Sequence, residues 1–349
     1  MKSNTYWSNR SKERMMEYHN ETDDAIESIL DAYEKSLENI NKEIQNIFNK
    51  FTKDNKLTPE KARKYLNQKI PNFILDLFKN IYSKIKNQKI RNWMSARINS
   101  LSYKSRITRL EALKESIKLE YKKLADLEIQ INTTQYINTI NQAYYKSIFD
   151  IQKGIGLGFS FNVIPDKVIN EILKKPWSGK HFSERIWENT DVLAEQVTNI
   201  ILDGVTTGKS IDKMTRELRE LTNTGKYVAT RLLRTETTYI ANAAENESYK
   251  ECGIEKYIFV ATLDMRTSKV CQGLDREVFE VSKAVPGENL PPMHPNCRSA
   301  TRAYVSKEEL AKVKRRARDP ITGKTYLVPA DINYEEWRKR YIDKRALTK

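Results

Sequence analysis

The chain has 349 residues, and 61 Lys and Arg against 46 Asp and Glu give it a formal net charge of +15. Hydrophobic residues make up 39% and charged residues 31%, so the chain is too apolar to be wholly disordered and long enough for two or three domains. No run approaches the roughly 20 apolar residues of a membrane span, no signal-like apolar segment follows the N-terminus, and three cysteines fit a reducing compartment better than a disulfide scaffold.

The positive charge is spread unevenly. Residues 1–150 carry 27 basic and 19 acidic residues, residues 151–300 carry 20 of each, and residues 301–349 carry 14 and 7. The stretch 61–110 alone holds 13 basic residues and one acidic residue, Asp76. A neutral middle with basic ends is expected where the ends touch a polyanion, and solvated helix faces are the alternative.

The first 150 residues have the pattern of long amphipathic helices. Apolar residues recur every three or four positions over 26–51, 73–85 and 110–131. Thr58 followed by Pro59 predicts a helix start between the first two of these runs. We expect a helical bundle or an elongated set of antiparallel helices.

The residue composition changes at Gly154, where three glycines fall within five residues, and we place a domain boundary there. Helices are predicted over 183–202, 210–221 and 227–252, and a strand over 256–262. The glycines of Gly204–Ser210 are too close together for a phosphate-binding loop, so a helix C-cap, a turn and a new N-cap at Ser210 are predicted instead.

The predicted fold class is α+β and mostly α. We expect a basic helical domain over 1–153 and a compact helical domain with a small β element and a Cys/His loop over 154–305. A basic tail with a turn or hairpin is expected over 306–349.

Residues 264–297 include side chains of the kinds that bind metal ions. Cys271, His294 and Cys297 offer three zinc ligands, and Asp264 or a water molecule is a conceivable fourth. In the alternative interpretation the cysteines pack as small apolar groups and His294 hydrogen-bonds the backbone.

Four charged residues lie close to these loops in the sequence: Arg234, Glu236, Asp264 and Arg266. They are expected either to form a buried ion-pair network that ties a helix to a loop or to form an acid/base site, and the structural role is the commoner one.

Several motifs occur in a recognisable order: Trp177–Gly179, Phe182–Ile186, Gly204–Ser210, Arg234–Glu236, Asp264–Thr267 with Cys271, and Pro292–Arg298. In that order they resemble the Mu F-like phage head morphogenesis, or minor capsid, family over roughly residues 175–305. Many members carry paired cysteines at the two loops, where this chain has Ser268 and Ser299. The resemblance assigns the following residues to the family motifs: Trp177, Gly179, Arg234, Glu236, Asp264, Arg266, Pro292, His294, Pro295 and Arg298.

The resemblance implies a non-enzymatic minor head protein of a tailed phage or prophage, inside the procapsid and virion at the portal vertex and in the host cytoplasm during assembly. The implied partners are the portal protein, capsid or scaffold proteins, and the genome during packaging or ejection. No cofactor is expected, and a structural zinc ion at the Cys/His loop is the alternative left open by the residues themselves. Sequence-independent contacts with double-stranded DNA are predicted for Lys61, Arg63, Lys64, Lys84, Lys86, Lys89, Arg91, Arg97, Lys104, Arg106, Arg109, Lys312, Lys314, Arg315, Arg316 and Arg318.

Two other classes remain open. A metal-dependent nuclease would use His294, Glu236 and Asp264, because a metal-bound water can attack a phosphodiester. A cellular coiled-coil protein that binds DNA or acts as a scaffold would fit the helical half alone. Some members of the resembling family are joined to a toxin such as an ADP-ribosyltransferase, and we expect no such domain in the roughly 50 residues after Cys297.

Overall fold

The computed structural model describes residues 4–49, 58–70, 73–102, 107–155, 160–304, 314–318, 325–329, 336 and 338–343. The fold is α+β and mostly helical, as predicted. None of the described helices is long and apolar enough to cross a membrane. The α-helices are α1 (Asn4–Glu21), α2 (Asp23–Asn49), α3 (Pro59–Leu66), α4 (Phe73–Tyr82), α5 (Gln88–Ser102), α6 (Arg109–Ile155), α7 (Asp166–Lys174), α8 (Phe182–Thr207), α9 (Ile211–Glu251) and α10 (Lys269–Leu274).

The strands form three small antiparallel sheets in the described part of the chain. A single 3₁₀ turn spans Val281–Lys283, and a π-helix spans Arg338–Asp343. The strands are β1 (Lys69–Ile70) paired with β2 (Ile107–Thr108), the three-stranded sheet β4 (Val278–Glu280), β3 (Lys256–Val260) and β5 (Ala300–Tyr304), and β6 (Lys314–Arg318) paired with β7 (Thr325–Pro329).

The chain divides into two compact units. Unit 1 comprises residues 1–22, 135–179 and 234–349, and unit 2 comprises residues 23–134 and 180–233. These limits differ from the boundaries expected after residues 153 and 305, which stay a prediction. Gly154 lies inside α6, where a Cβ would come within 3.1 Å of the Trp7 ring, so close packing accounts for this glycine.

Unit 2 is built around the predicted apolar stripe of α2. Apart from the half-buried Leu30, its members are buried where the structure describes their side chains, with Ile29 and Ile44 almost fully inaccessible, because residues three and four apart share one helix face. The predicted N-cap is confirmed: Thr58 Oγ1 accepts from the Lys61 N–H at 3.4 Å. Gly208 ends α8 in the left-handed region at φ 78°, also as predicted.

The break predicted between residues 221 and 227 is wrong, since α9 runs unbroken from Ile211 to Glu251. Gly225 lies inside this helix, and packing within unit 2 explains it. A Cβ on Gly225 would lie 2.8 Å from both Leu193 Cδ1 and Tyr33 Cε1. The glycine therefore permits close approach of neighbouring side chains and does not end the helix.

A buried carboxyl group lies in unit 2 beside Tyr33. Glu128 is 2% exposed, and its Oε2 accepts from the Tyr33 hydroxyl at 3.1 Å. Burial raises the pKa of Glu128 to about 7, although the Tyr33 hydrogen bond opposes the shift. In the folded state the protonated form is thus favoured below about pH 7.

Unit 1 is centred on β3, whose residues Tyr257 to Val260 are all buried. Strand β5 pairs antiparallel with β3, with Lys256 opposite Tyr304 and Val260 opposite Ala300. The predicted strand is thus confirmed over Lys256–Val260. The stretch expected to be loop-rich up to Arg298 also contains α10 and β4.

The first helix is anchored to unit 1 by a buried arginine. Arg14 is 4% exposed; its guanidinium bonds Glu245 Oε1 of α9 at 3.1 Å and also pairs with Asp150 of α6. Glu245 is completely buried, and Tyr249 donates a hydrogen bond to its Oε2 at 3.4 Å. One cation therefore satisfies two carboxylates that are out of reach of water.

The turn or hairpin expected near the C-terminus falls between β6 and β7. The two strands pair from Lys314 opposite Pro329 to Arg318 opposite Thr325. Residues 319–324, which connect them, lie outside the described residues.

Replacing Arg14 with Met should lower the free energy of unfolding by about 3–5 kcal/mol, because the buried Glu245 would lose its guanidinium partner and Asp150 would keep only Arg10. Urea unfolding followed by circular dichroism measures the change. Arg10 is the matched control: it also bonds Asp150, at 3.2 Å, but is 38% exposed, so Arg10→Met should cost about 1 kcal/mol or less. Equal losses for the two variants would contradict this account.

Replacing Glu128 with Gln should stabilise the protein above neutral pH. Because the folded-state pKa of about 7 lies above the ordinary glutamate pKa of 4.5, the wild type loses stability as pH rises between those values, and the change approaches about 3 kcal/mol at high pH. Urea unfolding at pH 5 and pH 8 should show a pH-dependent loss in the wild type that Glu128→Gln reduces. Glu43→Gln, at an exposed site on α2, should leave the loss unchanged.

Candidate functional site: the Cys/His cluster and the polar face of α9

Two loops of unit 1 bring the predicted metal ligands together. Cys271 lies in α10, and His294 and Cys297 lie in the segment that leads into β5. Cys271 and Cys297 are buried with Phe259 and Ala261, and Met293 packs beside them. His294 is half-buried at the edge of this core.

The geometry of this Cys/His cluster is tight. Cys271 Sγ lies 3.4 Å from His294 Nε2 and 3.8 Å from Cys297 Sγ, and the three ligand atoms all lie within 4.8 Å of one another. All three cysteines of the chain are free thiols. The opposite ring nitrogen, His294 Nδ1, lies 2.9 Å from the Pro295 carbonyl oxygen. Since a carbonyl can only accept, Nδ1 carries a proton, and Nε2 is the ring nitrogen that faces the Cys271 sulfur.

The surroundings favour the thiolate of Cys271. The Cys297 thiol contributes most, and the Ser268, Ser299 and His294 side chains add hydrogen bonds that together lower the pKa of Cys271 to about 5, against the effect of burial. The pKa of Cys297 is raised, because its proton is shared with the neighbouring sulfur and its side chain is buried.

A polar stripe on α9 holds the second loop. Thr235 Oγ1 accepts from the Asn296 N–H at 3.0 Å, and Thr238 Oγ1 donates to the Cys297 carbonyl at 2.5 Å. Further along the helix, Asn242 Nδ2 donates to the Ser299 carbonyl at 3.3 Å, and the Tyr249 hydroxyl lies 3.0 Å from Thr301 Oγ1. The chain from 296 to 301 therefore runs along one buried face of the helix.

Sequence reasoning missed this stripe, although a signal was present. The polar positions 235, 238, 242, 245 and 249 repeat every three or four residues, which places them on one helix face. A buried face of this kind must find hydrogen-bond partners, so the pattern indicates an irregular segment packed beside it.

The four charged motif residues do not form one buried network. Asp264 and Arg266 are both exposed, whereas Glu236 is buried. Asp264 Oδ2 pairs with Arg298 Nη1 at 2.6 Å, and this contact lowers the pKa of Asp264 to about 2. The ion pair links the loop after β3 to the segment that holds Cys297.

Neither Asp264 nor Glu236 belongs to the Cys/His cluster. Among the described residues, Cys271, His294 and Cys297 form the one group of three or more potential metal ligands. The structure therefore does not assemble the His294, Glu236 and Asp264 set on which the nuclease hypothesis depends. Asp264 is also engaged as the partner of Arg298 and does not serve as the fourth ligand considered above.

The tryptophan motif packs on the same helix. Trp177 stacks on Tyr239 with ring centroids 5.3 Å apart, and its indole N–H donates to Glu236 Oε2 at 3.0 Å. Gly179 follows at φ 92°, a conformation that favours glycine. This motif thus positions the chain against α9, and its described contacts are structural.

The predicted DNA-contacting residues differ in their surroundings. Several are exposed in unit 2, and four contact side chains of their own unit, Lys89 being in both sets: Lys89 over Trp187, Arg91 over Tyr82, Arg109 over Tyr65, and Arg97 paired with Glu115 at 2.8 Å. The exposed ones are Lys61, Arg63, Lys64, Lys84, Lys86 and Lys89. Lys104, Arg106 and Lys312 lie outside the described residues, and Lys314, Arg315, Arg316 and Arg318 lie on β6.

Comparisons with known proteins match this site region. Residues 195–302 match the family described as Phage Mu protein F like protein. A 191-residue stretch is 28% identical to an NAD(+)–arginine ADP-ribosyltransferase, EFV, of Enterococcus faecalis (strain ATCC 700802 / V583). The match covers 50% of this chain and 39% of that relative, so the chain spans about two fifths of the relative's length. No solved structure matches the chain.

Proposed function

We propose that the chain acts as a minor head protein at the portal vertex of a tailed phage, because residues 195–302 match the family described as Phage Mu protein F like protein. In this role it contacts the portal protein and capsid or scaffold proteins and binds double-stranded DNA without sequence preference during packaging or ejection. It resides in the host cytoplasm during assembly and in the capsid interior afterwards. The family match is the observation that carries the proposal.

We propose a structural role and no catalytic one, because proteins of the phage head morphogenesis family are generally structural. The transferase activity named for the Enterococcus faecalis relative is not part of the proposal, since this chain matches 39% of that protein.

The DNA-binding part of the proposal is supported by exposed positive charge in unit 2. Lys61 and Lys64 of α3 and Lys84 and Lys86 after α4 are all exposed. Each lysine that neutralises a phosphate releases condensed counterions, so binding of this kind is salt-dependent and indifferent to sequence.

Neutralising Lys61, Lys64, Lys84 and Lys86 together, each to Gln, should weaken binding to a random-sequence duplex about tenfold or more at moderate salt. The slope of log K against log salt should become shallower by roughly 3 to 4, as four phosphate contacts are lost. Fluorescence anisotropy across a salt series measures both quantities.

The matched control removes the same charge elsewhere. Lys174, Lys175, Lys256 and Lys269 are exposed lysines of unit 1, and changing all four to Gln should leave the slope close to that of the wild type. If both quadruple variants lose affinity equally, net charge and not this set of lysines governs binding. If neither variant changes the slope, the DNA contact proposed for unit 2 is wrong.

The portal contact is testable in assembled particles. Procapsids formed with and without the phage's own portal protein should differ in their content of this protein, which we expect to fall at least tenfold when the portal is absent. Quantitative mass spectrometry, normalised to the coat protein, measures the ratio. Equal incorporation into both kinds of particle would place the protein on the shell and overturn the portal assignment, while leaving the DNA proposal to its own test.

A further inference from the structure

The spacing of the Cys/His cluster has the dimensions of a metal site. With Zn–S distances near 2.3 Å and Zn–N distances near 2.0–2.1 Å, a tetrahedral ion separates two sulfur ligands by about 3.8 Å and a sulfur from a nitrogen by about 3.5 Å. The corresponding distances here are 3.8 Å from Cys271 Sγ to Cys297 Sγ and 3.4 Å from Cys271 Sγ to His294 Nε2. We propose that Cys271, His294 and Cys297 bind one zinc ion.

The orientation of the histidine fits this assignment. His294 directs Nε2 at the sulfurs and uses Nδ1–H for the Pro295 carbonyl. Metal-binding histidines commonly donate their second N–H to a backbone carbonyl or carboxylate, which fixes the tautomer and the ring plane. The ring is therefore prepared for coordination by a contact that does not involve the ligand atom.

The charge and burial of the donors point the same way. Two cysteines buried to 1% and 0% exposure would supply two thiolates, and their negative charge balances a divalent cation in a site with little water. Sulfur and imidazole ligands favour zinc over magnesium or calcium, which prefer oxygen.

The ligands are also held in place before any ion binds. Ser268 caps α10 by accepting from the Cys271 N–H at 3.2 Å. Cys297 is fixed by Thr238 at its carbonyl and by the His294 carbonyl, which accepts the Cys297 N–H at 3.2 Å. Since the cluster offers three ligands among the described residues, a water molecule completes the four-coordinate ion.

A disulfide between the two buried cysteines is the main competing chemistry. An S–S bond is about 2.05 Å long, so the sulfurs would have to approach by almost 2 Å, and His294 would keep no partner for Nε2. The zinc assignment uses all three side chains and keeps the separation of the two sulfurs at 3.8 Å, with all three ligand atoms within 4.8 Å of one another.

The test is elemental analysis of the full-length protein purified without chelator. We expect about one zinc ion per chain by plasma mass spectrometry, and less than about 0.2 in the double variant Cys271→Ser/Cys297→Ser. Cys252 is the matched control: it is the third free cysteine and lies outside the cluster, so Cys252→Ser should keep the full zinc content.

A second measurement uses wild-type protein and therefore tests the proposal even if the cysteine variants fail to fold. Wild-type protein stripped of metal and titrated with Co²⁺ should develop the intense visible absorption of tetrahedral thiolate-bound cobalt, saturating at one equivalent, and Zn²⁺ should bleach it. A protein without metal, with three titratable thiols and no cobalt spectrum, would overturn the proposal. So would an intact mass lower by two hydrogens whose peptide map joins Cys271 to Cys297.

Discussion

The need to satisfy a buried polar helix face governs the architecture of unit 1. Thr235, Thr238, Asn242, Glu245 and Tyr249 line α9 where water is excluded, and each finds a partner outside its own helix. Leaving one such group unpaired would cost about 1–3 kcal/mol. The irregular segment 296–301 and the guanidinium of Arg14 therefore pack where they do because α9 presents these groups. This explains why the first helix, distant in sequence, belongs to the same compact unit as the Cys/His cluster.

The basic side chains of this protein are not all available to a binding partner, because some of them pack over aromatic rings of the same chain. Lys89, Arg91 and Arg109 place their cationic heads over aromatic rings, and such contacts contribute about 0.5–1 kcal/mol each at exposed sites. They leave the cation accessible on one side only. The strongly basic stretch 61–110 thus serves partly to cover its own apolar surface, and the lysines of α3 and of the turn after α4 are the better candidates for phosphate contacts.

The sequence predicted what depends on local periodicity and capping. The stripe of α2, the Thr58 cap and strand β3 follow from residue spacing and side-chain chemistry that act over a few positions. The motif near Cys297 also pointed to Cys271, His294 and Cys297, the three side chains that the fold brings together. The unbroken path of α9 through Gly225 was out of reach, because the glycine is required by Tyr33 and Leu193 from distant parts of the chain. The role of Arg14 was hidden for the same reason: an arginine on an amphipathic helix is usually solvated, and only the tertiary fold reveals Glu245 and Asp150.

The Cys/His cluster and the polar stripe fix one loop from two sides. Asn296 adopts φ 57°, a left-handed conformation that a non-glycine residue keeps only when its surroundings specify it. Thr235 holds its N–H on one side, and the next residue, Cys297, faces Cys271 on the other. Hydrogen bonds from α9 define where the backbone runs, and the thiol pair defines its distance from α10. A bound ion would add a bond-length restraint to a loop that the helix has already oriented, so the ligands would need little rearrangement to coordinate it.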